Sequence, residues 1–323
     1  MKKILSTILG LLCLGTTGRA LPTSSVLLQH EGNVVVYPLD SLNAALRDAT
    51  DGDTLFLSKG EYQGFTIDKK ITVRGAGEES VIRGQVTVAI PDSVTLTSTL
   101  LEGLHFNGYT NNNGIIVTKP LNGLKLKQCY IESLKCEAVM HDVRIDRCRV
   151  SQVLYFENYV KSMVANNSRI YRVSLAWNSS KDITFVNCNV LSFGTFEYFN
   201  GTLLNSITGY GGVGSYVSYK SCSIINSLVC TYRLTIDDTC YKENCWTDGS
   251  DTKLVSDSWL GCKYSDEELL EKGYAGNDGT VIGSNGGATP YTLELSVPKV
   301  ASADVKLDNE NRRLNVNLIL TAE

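Results

Sequence analysis

A pattern of alternating apolar and polar residues recurs every 19 to 20 residues through the middle of the chain. Each repeat has two apolar positions two residues apart, and three residues later a position that is mostly cysteine or serine. The first column contains Leu104, Leu124, Val143, Met163 and Ile183, the second Phe106, Leu126, Ile145, Ala165 and Phe185, and the third Tyr109, Cys129, Cys148, Ser168 and Cys188. Alternation with a period of two residues is typical of β-strands and does not fit a helix.

The length of the repeat predicts how these strands are arranged. Repeats of about 20 residues built from short bent strands form coils that stack about 4.8 Å apart, and each residue lies on its equivalent in the next coil. The two residues between the second and third columns leave room for a bend between two strands of one coil. We therefore predict an all-β fold, a parallel β-solenoid.

Cysteine occupies equivalent places in segments such as VRIDRCRV and ITFVNCNV. Cysteine is small and readily buried, and a bend inside a narrow coil admits only small side chains. We predict that Cys129, Cys148, Cys188 and Cys222 form an interior ladder of unpaired thiols. A metal site is disfavoured, because the chain has only three histidines and sulfurs in a row do not converge on one point.

Both ends of a solenoid need a cap, because an open terminal coil exposes strand edges and core. Ser41 to Ala49 places apolar residues at i, i+3, i+4 and i+7, which predicts a short amphipathic helix as the N-terminal cap. Alternating segments on either side of Asp308 to Asn311 predict a β-hairpin. We predict a β-helix domain with its N-terminal cap at 21–287 and a C-terminal hairpin cap or appendage at 288–323.

The segment from Leu39 to Gly84 contains GDTLFL, GEYQGFTI, ITVRGAG and VIRG in that order. It resembles the entry of pectin-lyase-like right-handed β-helix proteins, in which a capping helix leads to the same motifs. The end of the chain is similar to that of exported bacterial β-helix proteins without an assigned activity. The resemblance implies a right-handed single-stranded parallel β-helix. It leaves the activity open, because lyases, hydrolases and non-catalytic surface proteins share this fold.

Residues 1–20 have the features of a signal peptide. A basic start with Lys2 and Lys3 precedes a short apolar run and a small-residue cleavage site at Ala20. We therefore predict an exported protein of the periplasm, the cell surface or the extracellular space. A membrane-spanning protein is not expected, because no segment reaches the roughly 20 apolar residues that a spanning helix needs.

Charge narrows the range of partners. Three of the 30 basic residues belong to the signal peptide, so 27 remain against 34 acidic residues, a net charge of −7. This balance gives no reason to expect a nucleic-acid partner. No cofactor is expected either, because neither an ordered calcium loop nor a phosphate-binding glycine loop is present. We expect a monomer.

A second group of cysteines surrounds the irregular segment DDTCYKENCWTDGSD. An exported protein folds where disulfides form, so one disulfide is expected here, linking Cys240 to Cys245 or Cys245 to Cys262.

The repeat also suggests a ligand site. Glu157, Trp177 and Glu197 fall in one column at intervals of 20 residues, and Tyr155 lies close to the first. Aromatic rings cover the C–H faces of sugars, while carboxylates accept hydrogen bonds from their hydroxyl groups. These four residues are the predicted glycan-binding site. Two alternatives stay open: an ordinary solenoid surface with stacked aromatics, and a hydrolytic pair, since two coils separate the carboxylates by roughly 9.6 Å.

Two short basic columns are a further candidate. Lys125 is expected to lie under Arg144, and Arg149 under Arg169. A polysaccharide lyase needs cations that neutralise a uronate carboxylate. Pairing with neighbouring acids on a solvated face is the simpler expectation.

The ordered carboxylate motifs of polygalacturonase-like enzymes are absent, so the catalytic residues stay unknown. The sequence favours an exported non-catalytic protein that acts at a surface or on glycans. The alternative is a carbohydrate-active enzyme of the pectin-lyase-like class, either a polysaccharide lyase or a glycoside hydrolase.

Overall fold

The computed structural model describes residues 25–91, 99–107, 114–157, 159–175, 182–193, 198–209, 218–230, 235–249, 254–255, 259–295, 299–308 and 313–321. Most of their strands form a parallel β-solenoid, as predicted. Equivalent strands of successive coils pair in three parallel stacks.

The first stack contains β3 (Thr54–Leu57), β6 (Thr72–Arg74), β9 (Thr99–Glu102), β13 (Leu124–Lys127), β16 (Val143–Asp146), β18 (Ser162–Asn166), β20 (Asp182–Val186) and β23 (Thr202–Leu204). The second contains β4 (Gly60–Gln63), β7 (Ser80–Arg83), β10 (His105–Asn107) and β24 (Ile207–Thr208), and the third β5 (Thr66–Ile67), β8 (Val86–Val88) and β11 (Ile115–Val117). Longer strands bend through two stacks: β14 (Tyr130–Cys136), β17 (Arg149–Glu157), β19 (Arg169–Leu175) and β21 (Asn189–Phe193) join the second and third, and β26 (Ser223–Cys230) and β28 (Tyr241–Asp248) join the first and second. Shorter parallel pairings link β12 (Leu121–Asn122) to β15 (Met140–His141), and β22 (Tyr198–Phe199) to β25 (Ser218–Tyr219) and β27 (Thr235–Ile236).

A residue in the left-handed backbone region makes the bend between the first and second stacks. The angle φ lies between 44° and 51° at seven equivalent positions: Gln128, Arg147, Asn167, Asn187, Asn205, Asn226 and Asn244. Asparagine adopts this conformation more readily than most residues because its short side chain hydrogen-bonds locally. This bend is the two-residue step of the sequence pattern.

The residue after the bend points into the coil. Cys129, Cys148 and Cys188 are fully buried there, and all three thiols are free. Serine fills the places between and beyond them, where the Cys148 N–H donates to Ser168 Oγ (3.0 Å) and the Cys188 N–H to Ser206 Oγ (3.1 Å). The interior ladder of unpaired thiols is confirmed for these three cysteines.

Cys222 is buried but does not belong to this ladder. In its coil the bend residue is Asn226, so Ser227 takes the ladder position and accepts a hydrogen bond from the Ser206 N–H (3.0 Å). Cys222 instead lies beside Cys240 of the next coil, with 3.3 Å between the two sulfurs. The prediction was therefore wrong about the column and right about the burial.

The expected disulfides, Cys240 to Cys245 or Cys245 to Cys262, are wrong for this structure, in which all three thiols are free. The coil geometry gives the reason. Cys245 pairs in register with Ser227 and so extends the ladder, whereas Cys240 faces Cys222 in another column.

The register of the first repeat also differs from the prediction. Lys125 pairs with Arg144, 19 residues on, as expected, but Leu100 pairs with Lys125, 25 residues on. Leu124 therefore lies over Thr99 and not over Leu104. One longer coil shifted the alignment by a whole strand.

The N-terminal end is closed by a hairpin and a helix. β1 (Ser25–His30) pairs antiparallel with both β2 (Asn33–Pro38) and β3. A single 3-10 turn (Leu39–Ser41) leads into α1 (Leu42–Asp48), which contributes Leu42, Ala45 and Leu46 to the core. The predicted capping helix is confirmed. A second 3-10 turn (Gly77–Glu79) precedes β7.

Near the C-terminus, α2 (Asp266–Glu271) begins at a capping box formed by Ser265 and Glu268. The predicted hairpin is confirmed: β29 (Lys299–Asp308) pairs antiparallel with β30 (Arg313–Thr321). The division of the chain at residue 287 stays a prediction. Within the described ranges, no helix combines the length and the apolar character needed to cross a bilayer.

Residues 259–295, here called the return segment, run back along the solenoid beside the bends. Side-chain amides of the left-handed residues anchor it. In order along the segment, Asn205 Nδ2 donates to Asn277 Oδ1 (2.8 Å), Asn167 Nδ2 to the Gly286 carbonyl (2.6 Å) and Gln128 Nε2 to the Glu294 carbonyl (2.6 Å). The segment thus covers one flank of several successive coils.

Candidate functional site

Only part of the predicted glycan site falls within the described residues. Tyr155 is partly exposed on β17. Glu157 ends that strand and pairs with Leu175 rather than with Trp177, because a bulge shortens the repeat at this point. Trp177 and Glu197 lie outside the described residues. Their grouping with Tyr155 and Glu157 as a glycan site stays a prediction.

A different column of the second stack brings functional side chains together. His105, Tyr130, Arg149, Arg169 and Asn189 follow one another in register over five coils. The predicted neighbourhood of Arg149 and Arg169 is therefore confirmed. The His105 ring lies 4.2 Å from the Tyr130 ring, and burial lowers the pKa of His105, so this end of the column is uncharged at neutral pH.

The return segment adds two aromatic rings to this column. The Arg149 guanidinium carbon lies 3.6 Å from the centre of the Trp259 ring and 4.6 Å from that of Tyr130. The Arg169 guanidinium lies 4.3 Å from the Tyr291 ring centre. We call these five partly exposed residues the arginine–aromatic surface. Each stacked cation contributes roughly 0.5–2 kcal/mol of attraction to its ring.

Arg169 is held in place by the return segment. Its Nε donates to Ser284 Oγ (3.1 Å), Nη1 to the Trp259 carbonyl (3.2 Å) and Nη2 to Asn285 Oδ1 (3.1 Å). Asn285 Nδ2 in turn donates to both carboxylate oxygens of Asp266, at 3.1 Å each. This network fixes the orientation of one guanidinium and links it to α2.

The two arginines lack an acidic partner in direct contact. Within the described part of the chain, no carboxylate lies within 4 Å of either guanidinium, and the buried Arg149 Nε has no hydrogen-bond partner. By contrast, Arg144 pairs with Asp142 (3.0 Å), as expected for a solvated face. Burial, followed by the charge of Arg149, lowers the pKa of Arg169, and Asp266 only partly offsets this. The surface therefore holds two adjacent cations that an anion would stabilise.

A cavity of about 350 Å³ adjoins the network, between the return segment and the solenoid. Its polar lining includes Tyr264, Ser265, Asp266, Glu267 and Asn285. Ile207, Leu269 and Ile282 form its apolar wall. Hydrogen-bonding groups at one side and apolar groups at the other suit a small polar ligand with C–H faces, such as a sugar ring.

The acids of the described residues are tuned to stay ionised. Wherever the pKa of a described carboxyl group is displaced, it is displaced downward, and the groups concerned are Asp53, Glu61, Asp237, Glu267 and Asp278. A general acid for glycoside cleavage needs a raised pKa. No three histidine, cysteine, aspartate or glutamate side chains among the described residues are grouped as a metal site.

The sequence pattern revealed the two arginines but not their setting. The expectation that they pair with acids was wrong, because aromatic rings and amides surround them instead. Trp259 and Tyr291 are far from Arg149 in the chain, and no local pattern connects them. Their spacing near polar, glycine-rich segments gives no signal of a return along the solenoid.

Comparison with known proteins adds no family assignment. No protein-family model matches the chain, and no curated protein sequence matches it significantly.

Proposed function

We propose that this chain is an exported, non-catalytic β-helix protein of the pectin-lyase-like type that binds glycans carrying carboxylate or sulfate groups. The observation that carries the proposal is the arginine–aromatic surface, in which Arg149 and Arg169 lie side by side on aromatic rings without an acidic partner in contact among the described residues.

The chemistry of the surface suits an acidic sugar chain. A guanidinium presents parallel N–H donors that match the two oxygens of a carboxylate or sulfate. Partly exposed rings such as Trp259 offer flat apolar faces to the C–H side of a sugar. The column runs from coil to coil, so a ligand that repeats along its length meets equivalent positions. The neighbouring cavity supplies acceptors for hydroxyl groups, among them Asp266 and Glu267.

Binding without turnover is favoured by the state of the acids. Glu267, in the cavity wall, has its pKa lowered by a hydrogen bond from its own backbone and by Ser265. An ionised carboxylate accepts hydrogen bonds well but does not donate a proton to a leaving group. The lyase or hydrolase alternative needs a base or acid that this surface does not supply from its displaced carboxyl groups.

The test compares Arg149→Gln with Arg144→Gln in a binding assay. Both changes remove one positive charge from the solenoid, but Arg144 pairs with Asp142 away from the proposed surface. The probes are immobilised polygalacturonate, alginate and chondroitin sulfate, with dextran as the neutral control. We expect the wild type to bind an acidic glycan and Arg149→Gln to bind it about 10-fold more weakly or worse, since a charge-assisted hydrogen bond contributes about 1.5–3 kcal/mol. Arg144→Gln should bind within about twofold of the wild type.

Thermal midpoints separate lost binding from lost folding, and Arg149→Lys provides a second variant that keeps the charge but loses the planar stack. Equal binding of the two glutamine variants would overturn the assignment of the surface. Release of unsaturated uronates or reducing ends by the wild type would replace the proposal with the enzyme alternative.

A further inference from the structure

Two buried thiols lie side by side near the C-terminal end of the solenoid. The Cys222 and Cys240 sulfurs are 3.3 Å apart, and the residues are 3% and 7% exposed. The thiol of Cys240 also donates to the Tyr219 carbonyl (3.1 Å), whereas Cys222 contacts only the other sulfur among its described hydrogen-bond partners. This differs from the ladder, where Cys129 and Cys148 donate to backbone carbonyls of their own coils.

The backbone already has the spacing of a disulfide. Ser223 pairs in register with Tyr241, and the Tyr241 N–H donates to the Cys222 carbonyl (2.9 Å), so the two cysteines occupy equivalent places in adjacent coils. Adjacent strands lie about 4.8 Å apart. Disulfides span Cα separations of about 4.4–6.8 Å. Bond formation therefore needs a small approach of the two sulfurs and no change of register.

We infer that Cys222 and Cys240 are a cross-linking site, which closes to a disulfide when the chain folds in the presence of a small-molecule or protein disulfide as oxidant. One cysteine thiolate attacks the oxidant, forms a mixed disulfide and releases one thiol. The second thiolate then attacks the protein sulfur of that intermediate, the Cys222–Cys240 bond forms and a second thiol leaves. The two protein sulfurs lose two electrons to the oxidant, and their two protons end on the released thiols.

The timing follows from burial. Burial raises the pKa of the Cys222 thiol well above its usual range, which suppresses the reactive thiolate in the folded coil. The bond therefore forms during folding, before the coil closes over the sulfurs. Among the described strands, β28 pairs only with β26, so the cross-link would join the last coil of the solenoid to the one before it and oppose its fraying.

Peptide mapping of the full chain tests this inference. The protein is unfolded with reductant and refolded either with oxidised and reduced glutathione or with reductant alone, and then alkylated and digested with trypsin without reduction. Cleavage after Lys220, Arg233 and Lys242 places Cys222 and Cys240 on different peptides. We expect these peptides to be joined in the glutathione sample, two hydrogens lighter than their sum. Fragmentation should locate the link at Cys222 rather than at Cys230.

Each outcome of the mapping is decisive. Full alkylation of both cysteines, or a link from Cys240 to Cys245 or Cys262, would overturn the inference. In support, the oxidised wild type should melt roughly 5 °C higher than the reduced protein, and Cys222→Ser should remove this difference. Cys129→Ser, a change in the thiol ladder, should leave the cross-link intact. None of these readouts involves a glycan, so the result stands apart from the proposed binding function.

Discussion

Replacing Cys148 with arginine should lower the free energy of unfolding by about 4 kcal/mol or more, enough to unfold much of the protein. Cys148 is fully buried between coils that carry Cys129 below it and Ser168 above it. Burial raises the pKa of its thiol, which shows how strongly this position disfavours charge. A guanidinium there would have neither an acidic partner nor water. Urea unfolding followed by circular dichroism measures the loss.

Two matched variants make this result specific. Cys148→Ser should cost only about 1 kcal/mol, because Ser168 already occupies the same column and donates to the Asn166 carbonyl (2.7 Å). Gln152→Arg adds the same side chain at an exposed position of the same strand and should be nearly neutral. Similar midpoints for Cys148→Arg and Gln152→Arg would show that the ladder position is not interior.

Phe185→Ala should have the second-largest effect, a loss of about 3–5 kcal/mol in the free energy of unfolding. Phe185 is fully buried, and its ring centre lies 5.4 Å from that of Phe193 and 6.0 Å from that of Phe199. Its removal leaves a cavity that rigid stacked coils cannot close. Thr184→Ala, on the outward side of the same strand, is the control and should change stability by less than about 1 kcal/mol. A loss below about 1 kcal/mol for Phe185→Ala would contradict this packing.

The fold was predictable because a solenoid repeats its constraints. Alternation, a fixed spacing and a small residue after the bend recur in coil after coil, so errors at one position are corrected by the others. The register failed at Leu104 because one longer coil breaks the period, and a period has no information about its own exceptions. The place of Cys222 was missed for a related reason: the asparagine at the bend, not the cysteine, marks the ladder position.

The candidate site was only half predictable. Arg149 and Arg169 come from the repeat, and their lateral pairing follows from the spacing. Trp259 and Tyr291 reach them through a segment that returns along the solenoid, anchored by amides such as Asn167. A local pattern cannot encode such a contact, because it depends on where the return segment crosses each coil.

The central claim, that an acidic glycan binds at the arginine–aromatic surface, is tested most directly by the fluorescence of Trp259. The chain has three tryptophans, so a protein with Trp177→Phe and Trp246→Phe reports on Trp259 alone. Titration with polygalacturonate at low ionic strength should change its emission saturably, and added salt or Arg149→Gln should abolish the change. The companion protein, with Trp246→Phe and Trp259→Phe, reports on Trp177 of the site predicted from the repeat. A response from Trp177 without one from Trp259, or no response from Trp259 to polygalacturonate, alginate or chondroitin sulfate, would contradict the account.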